Sequence, residues 1–147
     1  MNSTRLLPVD KVIHRASMYR NACGFDAFVR ESTSQIVLRT GTVGAIELPS
    51  ELGHRVIAAL TWPGPVIVHT DTPHPVVTIL TGPVPNHLRH GVNFAALTAA
   101  GAVLLPDGDE VVLPSPRDPA RRWLPHEPLD PYRPTAEVVV TTISDCW

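Results

Sequence analysis

The densest run of reactive side chains is His69-Thr70-Asp71-Thr72-Pro73-His74, which sets two imidazoles and a carboxylate within one turn-bearing loop. Zinc ligation or general acid/base work at His69, Asp71 and His74 is the chemistry such a set would perform. Structural zinc sites usually add a second close pair of ligands, and the nearest pair, His87 and His90, would have to return from a helix. A wetted loop in which Asp71 caps a turn is therefore the plainer reading. Asp107-Gly108-Asp109-Glu110 groups carboxylates that could take a hard divalent cation. Val111, Val112 and Leu113 follow where further oxygen ligands would be needed, and Asp-Gly is a strong turn dipeptide, so a turn is preferred there.

The arginines Arg117, Arg121, Arg122 and Arg133 are interleaved with Trp123 and Tyr132. Guanidinium forks pair phosphates and aromatic faces stack bases, which makes this segment the local match to a phosphate or single-strand surface. Asp118, Glu127 and Asp130 share the segment, so an ordinary salt-bridged loop with Trp123 anchored in the core stays open beside it. Ser115, between Pro114 and Pro116, does not suit the sharp strand-to-helix turn of a serine hydrolase. Cys23 and Cys146 fit neither a metal knuckle nor a disulfide framework, and reduced thiols are expected.

A chain of 147 residues suits a single domain with one core. Hydrophobic content of 44% with 18% charged residues is globular, and the net charge of −2 supplies no whole-protein field for nucleic acid or membrane. Any nucleic-acid binding would be local. Lysine occurs once, at Lys11, a compositional bias that fits GC-rich coding and carries no functional weight. Pro8 and Asp10 interrupt the only apolar patch near the start, and no run approaches the ~18 apolar residues of a membrane span. A cytoplasmic protein without a membrane partner is the expectation.

Those side chains must be positioned by short elements. Val12, Ala16, Tyr19 and Cys23 fall at helical spacing between Asp10 and Gly24, predicting a helix over 11–23. Gln35–Thr40 and Thr42–Leu48 read as strands short enough to pair across Gly41. Leu52, Val56, Ile57 and Leu60 form the stripe of a second helix with Ser50 as N-cap. Val66–His69 and Val76–Thr81 read as strands, and 86–100 as a helix weakened by Gly91. Residues 103–105 and 110–113 flank the Asp107-Gly108 turn as a hairpin, and 114–134 reads as a proline- and arginine-rich surface loop. The β-branched run 138–143 is assigned to strand by propensity, with a terminal helix as the alternative. Together these predict one α+β domain, a mixed or mostly antiparallel sheet packed with two to three helices.

The segment GAVLLPDGDEVVLPSPRDPARRWLPHEPLDPYRP, residues 101–134, resembles the C-terminal part of the primase–polymerase domains of the archaeo-eukaryotic primase superfamily, found in bacterial mobile elements and as small actinobacterial proteins. TGTVGAIELPSELGHRVIAAL is similar to the family's first catalytic strand and the helix after it, and VTILTGP to the strand near its nucleotide-binding histidine. The resemblance spans residues 35–134. It implies two acids on alternate positions of one strand, a third acid, and a histidine that holds the triphosphate. Glu47 instead has Ala45 and Pro49 at its i±2 positions, and the strand for the third acid reads Val103-Leu104-Leu105. His74 stands where the family's histidine falls.

What the resemblance implies is a domain that has lost two-metal nucleotidyl transfer and serves as an intracellular nucleotide or nucleic-acid binding or regulatory module. Glu47, His69, Asp71 and His74 are then the nucleotide or metal candidates, and Arg117, Arg121, Arg122, Trp123 and Arg133 the phosphate-binding ones. No catalytic residue and no cofactor are expected, with a divalent metal the one compatible addition. Two other readings stand beside it: a protein-interaction module using Trp62, Trp123, Trp147 and the proline loop, and a metal-assisted hydrolase at His69, Asp71 and His74.

Overall fold

The computed structural model describes residues 8–147. Helix α1 (Pro8–Cys23) leads into strands β1 (Ala27–Arg30), β2 (Gln35–Arg39) and β3 (Gly44–Pro49), then helix α2 (Ser50–Ala59). Strands β4 (Val66–His69) and β5 (Val76–Thr81) follow as the expected antiparallel pair. A 3₁₀ turn (Asn86–Arg89), helix α3 (Gly91–Ala99), strands β6 (Val103–Leu104), β7 (Glu110–Leu113) and β8 (Arg121–Leu124), and helix α4 (Ala136–Cys146) complete the chain. The strands form two antiparallel sheets, β1-β2-β7 and β6-β3-β5-β4-β8, so the fold is α+β.

The five-stranded sheet is the middle layer. Ile46, Leu48, Val66, Val68, Val77 and Ile79 face α2, α3 and α4, because alternate residues of a strand point to opposite faces. The other parity, Ala45, Ile67, Leu80 and Trp123, packs on α1 and on Ile36, Leu38, Val111 and Leu113 of the small sheet. Val12, Ala16, Tyr19 and Cys23, the stripe read from the sequence, are fully buried there, and α1 ends at Gly24 with φ +70°.

Two expected hairpins are corrected. β2 and β3 do not pair: β2 lies between β1 and β7, and β3 between β5 and β6. Both are interior strands with nearly continuous apolar sequence, and each needs a neighbour on either side. Likewise Asp107-Gly108 does form a tight turn, with Gly108 at φ +84° and the Asp109 amide donating to the Pro106 carbonyl at 3.2 Å, yet it carries the chain from one sheet to the other.

Four further departures have local causes. The expected helix over 86–100 is split into the 3₁₀ turn and α3 at Gly91, whose φ of +85° leaves the helical region. β1 and β8 were not anticipated, and β8 places a paired strand inside the proline-rich segment. The tail is a helix, raising the helix count among the described residues to four where two to three were expected. Thr135 caps α4 by accepting the Val138 amide at 3.2 Å, and Ala136, Val139, Val140 and Ile143 make a buried stripe against α2 and α3. Burial at helical spacing overrides the β propensity of valine and threonine. Ser50 is the first residue of α2, and Pro49 holds the cap position.

Tyr19 ties α1 to β8: its hydroxyl donates to the Pro114 carbonyl at 2.6 Å and accepts the Trp123 indole N–H at 2.9 Å. Phe25 completes this aromatic group, 6.0 Å from Tyr19 and 6.4 Å from Trp123. Tyr19→Phe leaves a carbonyl and an indole N–H without their partner in the interior, and should cost about 1–3 kcal/mol. A urea midpoint unchanged from wild type would contradict this account of the core.

Candidate functional site

The same parity that buries Ile67, Leu80 and Trp123 places Glu47, Thr78, His69 and Arg121 on the inner face, Glu47 and Thr78 in the cross-strand row of Ile67 and Trp123, and His69 and Arg121 one row further along. Glu47 on β3 is paired in register with Thr78 on β5, and His69 on β4 with Arg121 on β8. Here the two sheets part. A cleft of about 240 Å3 opens there, with Val76, Leu105, Val111 and Val112 as apolar walls and Asp71, Thr72 and Glu110 at its edge.

His69 is 9% exposed, and its Nε2 lies 2.9 Å from the Thr78 hydroxyl. Burial lowers its pKa from the ordinary 6.5, Arg121 lowers it further, and Asp71 and Asp118 offset part of the shift. The ring is therefore neutral near pH 7. Arg121 is clamped between carboxylates, donating to Asp118 at 2.8 Å and Asp71 at 3.0 Å, while its buried Nε has no partner among the described residues. Asp118 also accepts the Ala120 amide at 3.0 Å, and the Thr70 amide donates to the Ala120 carbonyl at 2.8 Å, tying the 70–75 loop to the start of β8.

The arginine charge is thus already matched. Glu110 is engaged by Arg30 at 2.7 Å, whereas Glu47 has no ion pair among the described residues. The cleft is anionic in consequence.

Of the sequence candidates, Glu47, His69, Asp71 and Arg121 share this cleft. His74 does not line it; the residue is exposed, and its carbonyl accepts the Thr72 hydroxyl at 2.6 Å. Among the described residues no group of three or more His, Cys, Asp or Glu is arranged to hold a metal. The phosphate candidates do not form one surface. Trp123 is a core residue with its indole N–H spent on Tyr19, so it has no free face for a base. Arg133 donates to the carbonyls of Cys23 at 3.0 Å and Pro131 at 2.9 Å, with its guanidinium over Phe25. Arg122 is exposed and has the opposite parity to Arg121 on β8, and Arg117 is exposed on the preceding loop.

Thr78 escaped the sequence reading. Its signal was a lone hydroxyl at an inward position of the Val76–Thr81 strand. Neither cysteine belongs to the cleft: burial pushes the Cys23 thiol up to about 11, helped by Asp130 and Glu127. A second hollow of about 340 Å3 is lined by Trp62, Pro65, Pro125, Pro128, Leu129 and Tyr132, with the Tyr132 hydroxyl donating to the Trp62 carbonyl at 2.9 Å. Trp62 is 71% exposed, and Trp147, at the far end of α4, is 60% exposed. No described helix is long and apolar enough to cross a membrane.

Because the folded protein lowers the His69 pKa, the unfolded chain binds the proton more readily. The neutral ring's contribution is whole above the unfolded value of 6.5 and is lost as pH falls toward and through the folded value. Wild type should therefore lose more stability than His69→Gln between about pH 7.5 and about pH 5, read from urea unfolding at each pH. Equal losses in the two proteins would show that His69 is not held neutral. No family model, no curated protein and no solved structure matches this chain, so the resemblance to primase–polymerase domains rests on the segments quoted above.

Proposed function

We propose that this domain is a binding module for a nucleobase or nucleoside, held in the cleft between the two sheets, and that it performs no two-metal nucleotidyl transfer. The observation that carries the reading is a polar group on three adjacent strands, Glu47 directly opposite Thr78 and His69 diagonal to Thr78 and within hydrogen-bond distance of its hydroxyl, opening between apolar walls. Such a set presents fixed hydrogen-bonding groups to the edge of a flat ring, and Val76, Leu105, Val111 and Val112 offer its faces apolar contact. A space of about 240 Å3 is below the common range for drug-sized ligands and suits a ring better than a triphosphate.

Electrostatics narrows the ligand further. The charge of Arg121 is matched by Asp71 and Asp118, leaving only its buried Nε without a partner among the described residues, and Glu47 repels anions, so the phosphate-led reading of the arginine segment has little to stand on within the cleft. With Ala45 and Pro49 flanking Glu47 on its own face, the paired carboxylates of a two-metal centre are missing from β3.

Calorimetric titration with nucleosides and their triphosphates, at low and high salt, tests the proposal. A nucleoside and its triphosphate should bind with similar affinity and little salt dependence, and Thr78→Val should weaken both about tenfold. Affinity that grows with phosphate number and collapses in salt would overturn it, as would the absence of binding by every nucleoside.

A second reading, contact with another protein through the Trp62 hollow, is favoured by the 71% exposure of Trp62 and the 74% exposure of Leu129. If the partner is a second copy, sedimentation should give a mass that rises with concentration for wild type and not for Trp62→Ala. A monomer throughout removes self-association.

A further inference from the structure

We propose that the ring selected by this cleft is guanine, recognised through two adjacent N–H donors on one edge by the Glu47 carboxylate. The inference rests on the nucleobase reading above and adds the identity of the base. A carboxylate offers two coplanar acceptor oxygens and takes a pair of parallel donors best. The pairing edge of guanine carries a ring N–H beside an amino group, with a carbonyl next to them. Adenine and cytosine set an amino group beside a ring nitrogen lone pair, and uracil flanks one N–H with two carbonyls. Each of those places a lone pair against the carboxylate.

The surroundings of Glu47 fit that partner. Its carboxylate takes no ion pair among the described residues, so both oxygens keep acceptor capacity. Thr78, directly opposite it in register, is the neighbouring polar group, and its hydroxyl is 2.9 Å from His69 Nε2. A neutral imidazole donates from Nε2 in one tautomer, and the Thr78 hydrogen is then free for a ligand carbonyl. The set thus offers one donor beside two acceptors, the complement of guanine's acceptor, donor, donor edge.

Nucleoside discrimination reads the claim directly. Guanosine should bind about tenfold tighter than inosine, which lacks the amino group, and about a hundredfold tighter than adenosine. Glu47→Gln replaces one acceptor oxygen with an amide donor, so guanosine should weaken about a hundredfold while adenosine holds or gains, since a carboxamide can face an amino group and a lone pair together. The adenosine arm also reports whether the variant is folded, with thermal unfolding as the second check. Nucleosides bound with equal affinity, or discrimination unaltered in Glu47→Gln, would overturn the guanine inference and leave the nucleobase reading standing. Failure of all nucleosides would remove both. Binding of agmatine in preference to guanosine would show that Glu47 takes a guanidinium cation and would overturn the inference as well.

Discussion

The five-stranded sheet is covered on both faces, and this constraint governs everything else. Helices α2, α3 and α4 close one side, and α1 with the three-stranded sheet closes the other, so a polar side chain on either face must find its partner inside the fold or open onto a gap. Thr81, fully buried, solves the problem locally by donating to the Gly82 carbonyl at 2.7 Å. Thr78 and His69 solve it with each other. Glu47 is the polar group left for the gap, and the gap lies where the small sheet departs from the large one, as β6 turns through Asp107-Gly108 into β7.

Of the three connections between the sheets, β2 to β3, β6 to β7 and β7 to β8, the first runs through Thr40-Gly41 beside that turn. The Thr40 hydroxyl donates to the Pro106 carbonyl at 2.7 Å and accepts the Asp109 amide at 3.0 Å, and the Thr40 amide donates to the Asp109 carbonyl at 2.9 Å. The two crossings are therefore bonded side by side, at the corner where β3 with β6 leaves β2 with β7. Fixing them together sets the angle between the sheets, and with it the width of the cleft. The same corner explains why both hairpins anticipated from sequence failed: each apparent turn is a sheet-to-sheet crossing.

Much of the architecture was legible because burial and period coincide. The stripe Val12, Ala16, Tyr19 and Cys23 reads as a helix, and Val66–His69 with Val76–Thr81 as strands, and the structure agrees on both. What was hidden depends on partners distant in sequence. β8 reads as loop because prolines surround it, yet Val68 and His69 draw Arg122 and Arg121 into register. The tail reads as strand because Val138, Val139 and Val140 prefer it, yet α2 and α3 offer a groove that only a helical stripe fills. The site was visible in part for the same reason. His69 and Asp71 stood out in a His/Asp loop, Arg121 in a run of arginines and Glu47 through the resemblance, and the core anchoring of Trp123 was among the readings, but nothing in the spacing said that residues so far apart would face one cleft, or that Arg133 would be spent on backbone carbonyls.

The clamp on Arg121 is the feature that weighs against an anionic ligand in the proposed reading. A guanidinium free of carboxylates would make the cleft an anion site, and the arginine segment would then continue it outward. Here Asp118 is held in place by the Ala120 amide before it meets Arg121, and Asp71 arrives on a loop anchored to the same residue's carbonyl. The backbone itself thus brings both acids to the arginine. A phosphate entering the cleft would have to displace a carboxylate positioned by the fold and approach Glu47 as well, losing a charge-assisted bond for each one gained. A neutral ring meets no such exchange. On the proposed reading it needs only the acceptors of Glu47 and the hydroxyl of Thr78, the latter held by His69.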